Sequence, residues 1–211
     1  MTMLGTEQEA WLSRSMLGDK STWALLGTGT NMGYSYTPEN AMDWVPRVAP
    51  ERAINYVRQG IAAAKAGLPY NLDNWGGYPA ARSRILSAAQ RADANLVVIT
   101  GDSHNGWAFD LPEGGKPAGV EFGGHSVSSP GFESAVPFTD PSVVARSLLD
   151  ASKQELRWVD TSNRGYMHLA LTPQAATNEW VFMQTVKDIS LATKAGHKMK
   201  VRPGRKVLEQ V

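Results

Sequence analysis

The stretch "PAARSRILSAAQRADANLVVITGDSHN", Pro79 to Asn105, limits the fold more than any other. Pro79 suits the first turn of a helix, where its missing N–H leaves no bond unmade. Ile85, Leu86 and Ala89 then recur at helical spacing and define one buried face. An apolar run, Leu96 to Thr100, follows almost at once and reads as a buried strand. A helix running straight into such a strand signals an α/β chain. Gly101 breaks the run, and the residues just past it leave the core at a sheet edge, where ligand sites in open α/β sheets concentrate.

The elements on either side extend this pattern. "TEQEAWLSRSML" sets Trp11, Leu12, Ser15 and Met16 on one side of a helix, and Thr6 with Glu9 fits a capping box. Thr22 to Leu26 reads as a buried strand entering a Gly-rich turn. That turn has no Walker lysine and no following helix. Met32 to Val48 reads as a long surface loop, "ERAINYVRQGIAAAKAG" as a helix ending near Gly67, and "NLDNWGGY" as a turn-rich connector. After Thr100 short strands are expected at Trp107–Leu111, Gly119–Gly123, Leu156–Asp160, Tyr166–Leu171 and Glu179–Thr185, with a helix from Phe138 to Ala151. The basic "KAGHKMKVRPGRK" reads as a solvated end.

With 211 residues, 42% of them hydrophobic, the chain can bury one substantial core, and no boundary between independent domains is visible. The net charge of +1 gives no nucleic-acid-binding signature. No apolar run approaches the ~20 residues that cross a bilayer. The opening "MTMLGTEQEAWL" does not read as a secretory signal, so localisation is left open. The absence of Cys removes disulfides, thiolate metal sites and a Cys nucleophile. No Gly-x-Ser-x-Gly elbow occurs either, which argues against a serine hydrolase.

What chemistry remains lies in "TGDSHN". Asp102 offers a hard oxygen, His104 an imidazole nitrogen and Asn105 an amide, and all three can reach a metal or a phosphate. A second reading is equally open here: Asp102 caps a turn and His104 is merely exposed. His125, in the irregular "FGGHSVSSPGFE", either contacts an anion or stabilises its loop. His168 reads as a structural strand residue and His197 as part of the solvated tail.

Several segments together resemble the PhoD-like (alkaline phosphatase D) metallophosphoesterases. "LGTEQEAWLSRSM" is similar to that family's Gly-x-Glu-Gln-x-x-Trp-Leu helix, and "STWALLGTGTNM" to the strand after it. "NWGGYPAARSRIL" resembles its Trp-Asp-Gly-Tyr-Pro-x-x-Arg segment, and "VVITGDSHNGWAFDL" its Thr-Gly-Asp-x-His strand end. "VEFGGHSVSSPGFE" and "NRGYMHLALTPQAATNEWVFMQTV" follow in the family's order. The resemblance implies an α/β metallophosphoesterase fold, a two-sheet sandwich flanked by helices. It also implies hydrolysis of a small phosphate ester at a multi-metal centre of calcium and iron, or of other divalent metals. Asp102 and His104 would be metal ligands, while Asn105, His125, Arg82 and Tyr78 are candidates to meet substrate.

The chain departs from the family pattern in two ways. The family's early acidic strand end, its Gly-Asp-x-x-Tyr-like motif and its Trp-Asp-Asp-His-Glu-like motif do not occur, and Gly76 stands where the family commonly has Asp. Residues 1–211 therefore read as the C-terminal part of the catalytic domain. The expected consequence is a catalytically incomplete fragment, or a subunit that needs an N-terminal half in trans. A non-catalytic binding module on the same fold is the remaining alternative. The resemblance also implies that members are often exported.

Overall fold

The structure is a computed structural model that describes residues 2–18, 20–46 and 48–211. Met1, Asp19 and Arg47 lie outside the described residues, so the expected Met32–Val48 loop is described except at Arg47. The first helix, α1 (Thr6–Gly18), turns Leu12 and Met16 inward one turn apart, while Trp11 stays exposed. Thr6 is already helical, and the Glu9 N–H donates to the Gly5 carbonyl. The Glu9 carboxylate pairs with Arg84, so it does not close the expected capping box.

Strand β1 (Ala24–Gly27) is followed by a 3₁₀ turn (Glu39–Trp44) and helix α2 (Glu51–Lys65). Helix α3 (Pro79–Arg91) has Pro79 at its start and leads into β2 (Leu96–Thr100). Next come β3 (Gly106–Glu113) and β4 (Lys116–Gly123), joined through Gly114 and Gly115. Both glycines have positive φ (56° and 75°), the conformation a two-residue hairpin turn requires. A short turn α4 (Phe132–Ala135) precedes α5 (Pro141–Ser152), which Asp140 caps by accepting from the Ser142 N–H at 2.8 Å. The expected Phe138 start lies ahead of that cap.

The remaining strands are β5 (Leu156–Asp160), β6 (Gly165–Leu171), β7 (Ala176–Met183), β8 (Thr193–Val201) and β9 (Glu209–Gln210). The first sheet has the order β1-β2-β4-β3-β5, and the second is the antiparallel meander β6-β7-β8-β9. Within the first sheet β1, β2, β4 and β5 run in one direction, and β3, between β4 and β5, runs against them.

Alternation along the strands builds two cores from one sheet. Leu96, Val98, Trp107, Phe109 and Leu111 face α1, α3 and α5, where they meet Leu12, Ile85, Leu86, Val144 and Leu148. Val97, Ala108, Val120 and Phe122 face the second sheet and pack on Trp180, Phe182, Met199 and Val201. The result is the expected α/β arrangement, two stacked sheets with helices.

Three further sequence expectations change. The strand at Thr22–Leu26 is shifted to Ala24–Gly27 and lies at a sheet edge, leaving Leu25 about half exposed. The supposed surface loop after Met32 enters the core, with Met32, Ala41 and Trp44 all buried. Its backbone is satisfied by distant side chains: the Met32 and Gly33 N–H groups donate to Glu121 on β4, and the Tyr34 N–H to Glu155 in the turn before β5. Gly33 is required there, because a Cβ would collide with the Phe109 ring. The basic C-terminal stretch is also structural. Its alternation buries Met199 and Val201 between lysines, His197 stacks on Trp158 at 4.4 Å, and Lys206 reaches Asp93 at 2.6 Å. Period-two alternation among lysines was the strand signal there.

Candidate active site

Because β1, β2 and β4 are parallel, their C-terminal ends reach the same edge of the sheet. The segments that leave them, 28–36, 101–105 and 124–131, therefore converge. They enclose a cleft of about 310 Å³ together with residues 70–74. Thr30, Asn31, Ser35, Asn71 and Asn74 give it a polar wall, and Tyr70, Trp107 and Phe132 an aromatic one. Asp102, Ser103 and Asn105 line it from the end of β2.

The turn at Asp102 is unusual. Asp102 and His104 both occupy the left-handed region, with φ of 65° and 60°. That conformation is uncommon outside glycine and persists only where surroundings hold it. The holding bonds are specific. The Ser103 N–H donates to the Gly101 carbonyl at 2.7 Å, the Trp107 indole N–H to Ser103 Oγ at 2.7 Å, and the Asn105 amide to the Ser103 carbonyl at 2.7 Å. Asn105 Oδ1 accepts from the Phe132 N–H at 3.1 Å, which ties this turn to the loop after β4.

His104 is oriented from the same loop. Its Nδ1 lies 2.9 Å from the Pro130 carbonyl, which can only accept, so Nδ1 carries a proton and, in the neutral ring, Nε2 keeps the lone pair. A second ring nitrogen bonded to a backbone carbonyl is the usual support for a ligating imidazole. Arg164, buried just ahead of β6, donates to the His104 carbonyl at 3.2 Å and pairs with Glu133. Burial is the largest single influence and raises the Glu133 carboxyl, but the bond from Arg164, the backbone N–H bonds of Gly131 and Glu133 and the Arg164 charge together outweigh it and hold the group below the usual range.

The other candidates are placed apart from the cleft lining. His125 is buried at the end of β4, edge-on to Phe182 at 5.2 Å. Burial lowers its pKa, partly offset by the Val181 backbone and by Asp160. Arg82 is buried on α3, where it pairs with Glu155 at 2.7 Å, donates to the Met32 carbonyl at 2.8 Å and lies 4.0 Å from the Tyr34 ring. Tyr78 begins α3 and packs against the helix-side core.

Sequence reasoning missed Asn31, Tyr70, Asn71, Asn74, Arg164 and Glu133. Asn71 and Asn74 fall in the segment read as a connector, while Asn31 and Tyr70 lie just ahead of the segments read as a loop and a connector. Arg164 and Glu133 sit in "TSNRGY" and "SPGFE", where a turn beside a strand end was the only signal.

Behind the cleft, Glu121 is fully buried on β4. Burial pushes its carboxyl up to about 7, against the lowering effects of the Gly33, Thr100 and Met32 bonds and the Arg82 charge. The folded state therefore holds this proton more tightly than the unfolded chain does. The stability that results is complete below about 4.5 and is lost as pH rises through about 7. The difference in unfolding free energy between the wild type and Glu121→Gln should shrink by up to about 3 kcal/mol across that window. Urea unfolding at several pH values reads it, and a difference independent of pH would contradict the assignment.

As metal ligands, Asp102 and His104 have suitable chemistry: a hard carboxylate and an imidazole with a directed lone pair. Their number is insufficient. Among the described residues no three His, Cys, Asp or Glu side chains come together in a metal-binding arrangement. The described residues therefore do not fit a complete multi-metal centre.

With this geometry in place, comparison with known proteins is direct. Alkaline phosphatase D of Bacillus subtilis (strain 168) is 28% identical over 136 residues, covering 62% of this chain and 19% of that protein. A solved structure of PhoD matches 100% of this chain with a TM-score of 0.71 at 22% identity, over 35% of its own length. The chain thus spans about a fifth of the curated relative and about a third of the solved one. The structural match shows the shared fold. The profile of the PhoD-like phosphatases matches residues 1–180, and the chain belongs to that family.

Proposed function

We propose that this chain contributes Asp102 and His104 as metal ligands to a centre that hydrolyses a small phosphate ester. One observation carries the reading: both residues stand at the convergence of three parallel strand ends in a member of a phosphatase family, and His104 Nε2 is left as a directed lone pair. Calcium with iron is the metal set proposed, and other divalent pairs suit the same donors. Bound there, metal ions would polarise a water and compensate charge on the phosphoryl oxygens. The chain's own part is to hold the 101–105 turn rigid through Asn105, Pro130 and Arg164. The cleft beside it offers neutral hydroxyl and amide groups to the ester.

The test is release of product from an aryl phosphate monoester and diester, with calcium and iron ions added and then chelated. Chelation should abolish activity, and Asp102→Ala or His104→Ala should lower it by roughly 10- to 100-fold or more. Full activity in both variants would remove the assignment. The donor count favours a second reading, in which the 211-residue chain does not turn over until other segments complete the shell. Complementation by the corresponding N-terminal part of a longer relative decides it, since robust metal-dependent turnover by the chain alone rules it out. A well-folded chain that binds no metal, alone or complemented, would instead be a non-catalytic binding module.

A further inference from the structure

A line of three side chains runs from the buried centre of the first sheet to the cleft. Glu121 Oε2 accepts from the Met32 and Gly33 N–H groups at 2.9 and 2.6 Å. Its other oxygen, Oε1, lies 2.9 Å from Thr100 Oγ1. The same hydroxyl lies 3.1 Å from Asn31 Oδ1, and Asn31, itself buried, lines the cleft.

A threonine hydroxyl has one hydrogen, so it donates to one of these two oxygens at a time. When Glu121 is ionised, its carboxylate takes that hydrogen. Thr100 then has only lone pairs to offer, and Asn31 satisfies them by turning its NH₂ towards Thr100. The Asn31 carbonyl oxygen is thereby left on the cleft side. When Glu121 is neutral, its own O–H donates to Thr100, Thr100 donates to Asn31 Oδ1, and the Asn31 NH₂ is left on the cleft side. The two ends of an amide are nearly the same size, so either arrangement fits the same space.

We propose that Glu121 and Thr100 are positioning residues that decide which end of the Asn31 amide, donor or acceptor, is presented to the cleft. Both protonation states are accessible near neutrality, because burial pushes the Glu121 carboxyl up to about 7. The charged group facing it is Arg82 from α3, itself paired with Glu155, while its neighbours across the sheet, Val98 and Phe109, are apolar. The functional consequence rests on the phosphate-ester reading. An NH₂ on the cleft side suits a phosphoryl oxygen, and a carbonyl oxygen suits a cation or a hydroxyl donor.

The test follows the Asn31 side-chain NH₂ signal by nitrogen-15 NMR of the 211-residue chain, assigned through Asn31→Ser. In the wild type this signal should shift with the same midpoint as the Glu121 carboxyl carbon. In Glu121→Gln the amide donates to Thr100 as the neutral acid does, so the signal should stay at its low-pH position throughout. Thr100→Val should leave Glu121 titrating while the Asn31 signal stays flat, and Thr100→Ser should restore the coupling. A structural role alone would alter stability without linking these titrations. An Asn31 signal that ignores the Glu121 titration in the wild type, or still follows it in Thr100→Val, overturns the proposal. Inorganic phosphate separates the two readings. Affinity falling several-fold above the midpoint supports both. Phosphate binding indifferent to an amide that does turn leaves the positioning intact and counts against the phosphate-ester reading.

Discussion

Arg82→Ala should destabilise the chain by about 3–5 kcal/mol, among the largest losses expected of any single substitution. The guanidinium and the Glu155 carboxylate are both buried, with side chains only 6% and 9% exposed. Removing Arg82 leaves Glu155 in low dielectric with the Tyr34 N–H still donating to it at 2.8 Å, and frees the Met32 carbonyl as well. Burial already raises the Glu155 carboxyl, with Arg82 the chief opposing charge, so the variant should take up a proton there. Its deficit should accordingly be smaller in acid than at neutral pH. Against a usual domain stability of about 5–15 kcal/mol, the loss is roughly a fifth of the total or more. Arg82→Lys should recover little, because an ammonium cannot reproduce the guanidinium fork. Denaturant unfolding measures all of this, and a loss under about 1 kcal/mol would show that the pair contributes no more than an exposed one.

Trp180→Ala should cost a similar amount, about 3–5 kcal/mol, for a different reason. Trp180 is fully buried between the sheets, 4.4 Å from the Trp158 ring and edge-on to Phe122 at 5.7 Å. Its indole N–H donates to the Gly123 carbonyl at 2.8 Å, so truncation leaves both a cavity and an unpaired acceptor at the cleft end of β4. Trp180→Phe keeps most of the volume and loses the bond, so its cost should be nearer 1–3 kcal/mol. Equal losses in the two variants would mean that the bond outweighs the packing.

These two side chains also show how unevenly the sequence could be read. Trp180 lay in a segment with plain strand alternation, so its inward orientation was legible, although β7 begins and ends earlier than the periodicity suggested. Arg82 was not legible in the same way. Its helix was read correctly from Pro79, Ile85 and Leu86, yet an arginine on a helix gives no sign that a carboxylate 73 residues later will bury it. The same holds for residues 32–44, whose polar and aromatic composition resembles a surface loop. Glu121 and Glu155 draw that backbone inward, one from β4 and the other from the turn just before β5.

By itself the sequence determined the α/β class, the helix-to-strand passage from Pro79 to Thr100, and the chemical character of Asp102 and His104. Those features depend on local periodicity and on residue types a few positions apart. Only the tertiary structure decided that the ends of β1, β2 and β4 meet, that Pro130 fixes the His104 tautomer, and that Arg164 and Asn105 hold the turn. It also decided the Glu121–Thr100–Asn31 line. Each of these joins residues from 21 to 69 or more positions apart, and such pairings follow from sheet order and register. Local pattern carries no record of them.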